Sequence, residues 1–167
     1  DLSVCDNYRG ITLLSTPSKV FAKTLINRIY TGVESKLRKE QAGFRRGRST
    51  TEQIFILRNI VEQAIEWNAT MYMTFVDFEK AFDSVHQDSH WKILRTYGIP
   101  DKIIKMIQLL YDDNECTVAD GGLQSEWFRI KTEVKQGCCM SGFLFLLVVD
   151  WIMRRILAET PLGIRYV

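Results

Sequence analysis

Phe75-Val76-Asp77-Phe78-Glu79-Lys80-Ala81-Phe82-Asp83-Ser84-Val85 places a carboxylate at the end of an apolar stretch and an aromatic ring five residues further on. Upstream, Met71, Met73 and Phe75 alternate with Tyr72, Thr74 and Val76. Period-two alternation with aromatic and β-branched residues predicts a strand. A strand ending at Asp77 would deliver its carboxylate to a fixed point at a sheet edge, where hard oxygen ligands hold a divalent metal. Two plainer readings stay open at this level: Asp77 as the cap of the helix that follows, and Phe82 as an ordinary core phenylalanine.

Helices flank this strand. Ser15-Thr16-Pro17 offers a capping hydroxyl ahead of an early helical proline. Val20, Phe21, Leu25, Ile29 and Val33 then recur at helical spacing, which predicts a helix from about Pro17 to Leu37. Ser49-Thr50-Thr51-Glu52 fits a capping box, and Ile54, Leu57, Val61, Ala64 and Ile65 form one face of a second helix. A short polar turn around Asn68 leads into the strand. Beyond it, Ser89 to Tyr97 reads as a short helix closed by Gly98, and Pro100 opens another with Ile103, Ile104, Ile107, Leu110 and Tyr111 on its apolar stripe. Cys116–Val118 and Trp127–Ile130, separated by Asp120-Gly121-Gly122, predict a hairpin. A mostly apolar helix follows from about Ser141 to Leu157. The expected class is α+β, with helices packed on a small antiparallel sheet.

Composition narrows the function less than the motifs do. The chain has 167 residues and a formal net charge of +2, so any basic surface must be local. Cys5, Cys116, Cys138 and Cys139 have neither metal-ligand spacing nor a secreted disulfide pattern, and read as reduced thiols in an intracellular protein. The apolar run Phe143–Val149 is far short of the roughly 20 residues that span a bilayer, and Asp150 ends it. Both ends of the chain read as cuts inside a larger domain.

The local basic surface is Gln41-Ala42-Gly43-Phe44-Arg45-Arg46-Gly47-Arg48-Ser49-Thr50, three arginines in a glycine-punctuated loop ahead of a helix N-terminus. Guanidinium groups and free helix amides both favour phosphate, although a solvated charge run has the same composition. In Lys135-Gln136-Gly137-Cys138-Cys139-Met140-Ser141-Gly142-Phe143-Leu144-Phe145, a glycine permits close backbone approach and a glutamine both donates and accepts hydrogen bonds.

Taken together and in order, these stretches resemble the reverse transcriptases of non-LTR retrotransposons. Asp77 to Asp83 resembles motif A of that family and Lys135 to Phe145 resembles motif B. Gln41 to Thr50 looks like the fingers motif QxGFRxGRST, and Asn7-Tyr8-Arg9-Gly10-Ile11-Thr12-Leu13-Leu14 looks like the earlier NYRPISLL motif. Trp127-Phe128 and Val148-Val149-Asp150-Trp151-Ile152-Met153 are most similar to the RTE-like clade. Departures are Gly10 and Gly142 where Pro is common, Glu133 for Gly and Lys135 for Arg. Gly142 is expected to loosen the start of the last helix.

The resemblance implies a right-hand polymerase, with fingers over about residues 1–70, part of the palm over about 71–167, and motif C and the thumb lying outside this sequence. It implies that Asp77 is the catalytic aspartate and binds metal together with the Phe78 carbonyl, and that Asp83 is structural. Arg45, Phe82, Gln136 and Gly137 would bind the nucleotide, with Phe82 excluding a 2′-hydroxyl. Arg46 and Arg48 would contact nucleic acid, Arg48 meeting either template backbone or a protein carboxylate. Two Mg²⁺ ions, or Mn²⁺, would serve the intact enzyme. Its partners would be template RNA, a DNA primer or target and deoxynucleoside triphosphates, with no membrane, together with the remaining polymerase and an endonuclease region of a parent polyprotein. Such an enzyme acts in nucleus and cytoplasm as a ribonucleoprotein. These 167 residues alone would not polymerise, and a decayed or domesticated nucleic-acid-binding remnant is the rival reading. Tyr111-Asp112-Asp113 imitates motif C, but its spacing and position mark it as a solvent-facing helix end.

Overall fold

The computed structural model describes residues 14–78, 81, 85–112, 115–120, 122–129 and 138–159. Five helices dominate it: α1 (Thr16–Glu34), α2 (Thr50–Glu66), α3 (Gln87–Thr96), α4 (Asp101–Tyr111) and α5 (Cys139–Glu159). Local chemistry fixes their ends. The Ser15 hydroxyl accepts from the Ser18 amide at 3.4 Å, with Pro17 in the first turn where its missing N–H costs nothing. Ser49 caps α2 by accepting from the Thr51 amide at 3.1 Å. Helix α3 closes on Gly98 at φ 75°, where the Gly98 and Ile99 amides donate to the Arg95 and Leu94 carbonyls. That is the Schellman pattern, and buried Leu94 and Ile99 supply its apolar contact. Asn68, at φ 49°, ends α2 in the same way, its amide donating to Ile65 and that of Ala69 to Ala64.

Helix α5 is the axis of the core. It packs against α1 and α3, and α4 closes the assembly against α1 and α3. From α5, Met140, Leu144, Leu146 and Leu147 are essentially inaccessible, and from α4 so are Ile104 and Ile107. Helix α1 contributes Ala22, Leu25, Ile26, Ile29 and Val33. The expected stripe was one residue out of register at its start: Val20 and Phe21 face solvent, and small Ala22 takes the close approach.

Two expectations are corrected. The apolar face of α2 buries no residue, and Ile54 and Ile65 are 68% and 74% exposed. Periodicity reports that a helix has an apolar face, but no other described element packs on this one. Residues 69–78 carry no strand pairing, and Tyr72, Phe75 and Val76 are exposed. A strand exists by virtue of its ladder partner, and none is present among the described residues. Strand pairing there is confined to the expected hairpin, where β1 (Glu115–Cys116) pairs antiparallel with β4 (Phe128–Arg129) and β2 (Ala119–Asp120) with β3 (Leu123–Gln124). The Ser125 hydroxyl, accepting from the Val118 amide at 3.0 Å, joins the two short ladders. No described helix packs on this hairpin, so the described residues form a mostly helical fold, and no sheet under the helices occurs among them.

Candidate nucleotide and nucleic-acid site

The first turns of α5 gather two segments far apart in sequence. Gly142 and Phe145 lie three residues apart and share a helix face. The Phe44 ring covers Gly142 so closely that a Cβ there would come 2.6 Å from its Cδ1. The Phe78 ring meets Phe145 edge-on at 6.2 Å and 86°. The residue before Arg45 and the residue after Asp77 thus rest one helical turn apart on the same surface. Asp77 is exposed there, held by no hydrogen bond or ion pair among the described residues. Gly142 lies within the helix and is the residue that admits Phe44.

The arginine loop is held from inside. Phe44 occupies a left-handed conformation at φ 56°, unfavourable for a bulky side chain. What holds it is Arg45, whose side chain is only 6% exposed. Its guanidinium pairs with Glu34 at 2.7 Å and donates to the Arg38 carbonyl at 2.7 Å and the Gln41 carbonyl at 3.2 Å. Burial by itself would raise the Glu34 carboxyl, but the hydrogen-bonded guanidinium of Arg45 outweighs it, with the neighbouring Tyr30 hydroxyl and the charge of Arg48 assisting, and holds it below the usual carboxylate range. The triphosphate assignment of Arg45 thus meets a physical obstacle, because the guanidinium is committed to protein acceptors and Glu34 would have to release it.

Arg46 and Arg48 are exposed. Arg46 lies over the Tyr30 ring at 4.7 Å and bonds Asn27, and its amide donates to the Tyr30 hydroxyl at 3.0 Å. Arg48 stands one residue before the Ser49 cap of α2. Of the remaining candidates, Phe78 is half exposed against α5. Phe82, Gln136 and Gly137 lie outside the described residues. Asp112 is an exposed helix cap beside buried Tyr111, as a helix-end reading requires.

Sequence reading missed two carboxylates that organise the site from behind. Glu34 sits in the last turn of α1, where the helix dipole disfavours an acid, and that local conflict was the available signal. Asp150 is fully buried in apolar α5. It accepts from the Tyr97 hydroxyl at 2.5 Å, Arg154 Nε at 2.8 Å and the Arg38 amide at 2.9 Å. Burial would raise its carboxyl, but these donors prevail and lower it, while burial and the same contact push the Tyr97 hydroxyl up. The acid interrupting an apolar run was its signal.

The chain belongs to the reverse transcriptase (RNA-dependent DNA polymerase) family, which it matches over residues 2–167. It is 29% identical over 164 residues to a Pol polyprotein of the type-1 retrotransposable element R2 from Popillia japonica, covering 98% of this chain and 23% of that protein. It is 26% identical over 150 residues to a 149 kDa protein of transposon TX1 from Xenopus laevis, covering 90% and 12%. To the RNA-directed DNA polymerase of the mobile element jockey from Drosophila melanogaster it is 27% identical over 143 residues, covering 84% and 15%. The chain therefore spans less than a quarter of the length of these relatives. No described helix is long and apolar enough to cross a membrane.

Proposed function

We propose that this chain supplies fingers and part of the palm to an RNA-directed DNA polymerase of a non-LTR retrotransposon. The observation that carries the reading is the meeting of the arginine loop and the Asp77 segment on one face of α5, through Phe44 on Gly142 and Phe78 on Phe145. That arrangement brings the segment carrying an exposed carboxylate and the loop carrying exposed cations onto one helix surface, and nucleotidyl transfer needs both kinds of group. In the reaction the 3′-oxygen of a DNA primer bonds to the α-phosphorus of a deoxynucleoside triphosphate. The bond from that phosphorus to the bridging oxygen breaks, pyrophosphate leaves, and the hydroxyl proton passes to solvent.

Asp77 and the Phe78 carbonyl fit hard-cation ligation as an exposed acid and an adjacent oxygen. No cluster of three metal-ligating side chains occurs among the described residues, so further carboxylates must come from elsewhere in the protein. Bound Mg²⁺ would activate the primer hydroxyl and neutralise the leaving pyrophosphate. In this reading Arg45 shapes the loop, Arg46 and Arg48 meet phosphate of template RNA or primer, and Phe82, Gln136 and Gly137 border the nucleotide. The exposed face of α2 and the unpaired segment 69–78 would be covered by a palm sheet, and an endonuclease region would complete the protein, which would act as a nuclear and cytoplasmic ribonucleoprotein. Of the departures that favour a decayed remnant, Gly142 loses its force, since Phe44 packs over it.

Primer extension on an RNA template by the full-length protein tests this. Asp77→Asn should abolish extension while nucleic-acid binding persists, because phosphate contacts dominate that affinity. Asp112→Asn should leave extension intact. An Asp77→Asn protein that still extends primers would end the proposal.

A further inference from the structure

Behind the arginine loop, at the later turns of α5, a pocket of about 350 Å³ opens between α5, the end of α3 and the turn after α1. Its lining includes Lys36, Tyr97, Trp151, Arg154 and Arg155. Three of these are cations, in a chain whose formal net charge is only +2. One is compensated: Arg154 pairs with buried Asp150 at 2.8 Å and also bonds the Lys36 carbonyl. The other two have no carboxylate partner among the described residues. Lys36 Nζ spends one donor on the Tyr97 carbonyl at 2.6 Å, leaving two N–H groups. Arg155 lies over the Trp151 indole, 4.8 Å from the ring centroid. That contact holds the guanidinium at the ring face without consuming any of its N–H donors.

We propose that this pocket binds a nucleotide unit of single-stranded nucleic acid, as a strand contact separate from the polymerising site. A guanidinium held at a ring face and an ammonium with two donors left suit a phosphodiester, and the half-buried indole with the arginine over it suits a base. The pocket is large enough for a small ligand, falling within the roughly 300–1,000 Å³ typical of such sites. An acidic peptide would use the cations and leave the indole idle, so a strand fits the whole lining better. The Asp150 network behind the pocket fixes its wall, because that carboxylate ties Arg154, Tyr97 and the residue 38 backbone into one unit. The inference rests on the pocket alone and survives if the catalytic reading of Asp77 fails.

The test uses the full-length protein and a 4-thiouridine-labelled single-stranded RNA. Photocrosslinking should yield a peptide containing Trp151, and Trp151→Leu should remove that crosslink. Arg155→Gln and Lys36→Gln should each weaken RNA binding several-fold and each lower the slope of log affinity against log salt by about one. Arg155 makes no ion pair among the described residues, so Arg155→Gln should keep the melting temperature and separates binding from folding. Asp77→Asn should leave the crosslink and both salt slopes unchanged. An unaltered slope in Arg155→Gln, a crosslink map that avoids α5, or full competition by uridine monophosphate or inorganic phosphate at the strand's own affinity would each overturn the proposal.

Discussion

Phe44 lies over Gly142, with 2.6 Å between its Cδ1 and the point where a Cβ would stand. A loop residue in a strained left-handed conformation and a helix residue without a side chain therefore form one contact. The arginine loop is registered on α5 through it.

Gly142→Ala should displace the Phe44 ring and loosen the loop. The effect should disappear when Phe44 is already Ala, since the added methyl then meets no ring. A double-mutant cycle in urea denaturation should show coupling on the order of 1 kcal/mol between the two sites. Additive effects would mean that the contact carries no energy.

Arg45→Met should destabilise the protein by about 2–4 kcal/mol, because it leaves the Glu34 carboxylate and two carbonyls without their donor. Arg45→Lys should restore only part of this. One ammonium cannot span Glu34 and the Arg38 and Gln41 carbonyls as the planar fork does. Full rescue by Lys in the same denaturation series would count against the fork's geometry.

Asp150→Ala should cost more than Tyr97→Phe. The first strands a guanidinium, a phenol and an amide, and the second removes one donor of three. Tyr97→Phe should also raise the Asp150 pKa, measurable by carboxyl NMR titration, since that hydroxyl is one of the donors holding it down. An unmoved titration would show that Arg154 and the Arg38 amide suffice.

His90 is buried, its Nε2 without a partner among the described residues, and burial lowers its pKa to about 4 from 6.5. The unfolded chain takes up a proton near pH 6.5 while the folded chain refuses it. Stability is thus complete above pH 6.5 and declines as pH falls toward 4, by about 1.4 kcal/mol per pH unit from this residue. His90→Leu should flatten that part of the profile. A variant as acid-sensitive as the parent would assign the decline to the carboxylates.

Helix termini were legible because their signals are local: Ser15 before Pro17, Ser49 before Thr50 and Gly98 after Tyr97 are each one turn of chemistry. The hairpin was legible from Asp120-Gly121-Gly122 and its flanks. The state of α2 and of residues 69–78 was not, since amphipathicity at Ile54 or alternation at Phe75 specifies a face without specifying what covers it. At the site, family motifs pointed to Arg45 as a phosphate ligand, whereas its role in the fold depends on Glu34, eleven residues earlier and on another element. Motif spacing carries no information about such a partner.

The packing of α1 on α5 has a consequence at the ribosome. Val33 leaves the exit tunnel more than a hundred residues ahead of Val148, and synthesis runs at about 5–20 residues per second. The stripe from Ala22 to Val33 therefore waits on the order of ten seconds for the helix that covers it. During that interval the nascent chain shows a greasy ridge to chaperones and neighbouring polysomes, so its yield in a cell depends on translation speed through the hairpin as well as on the finished core.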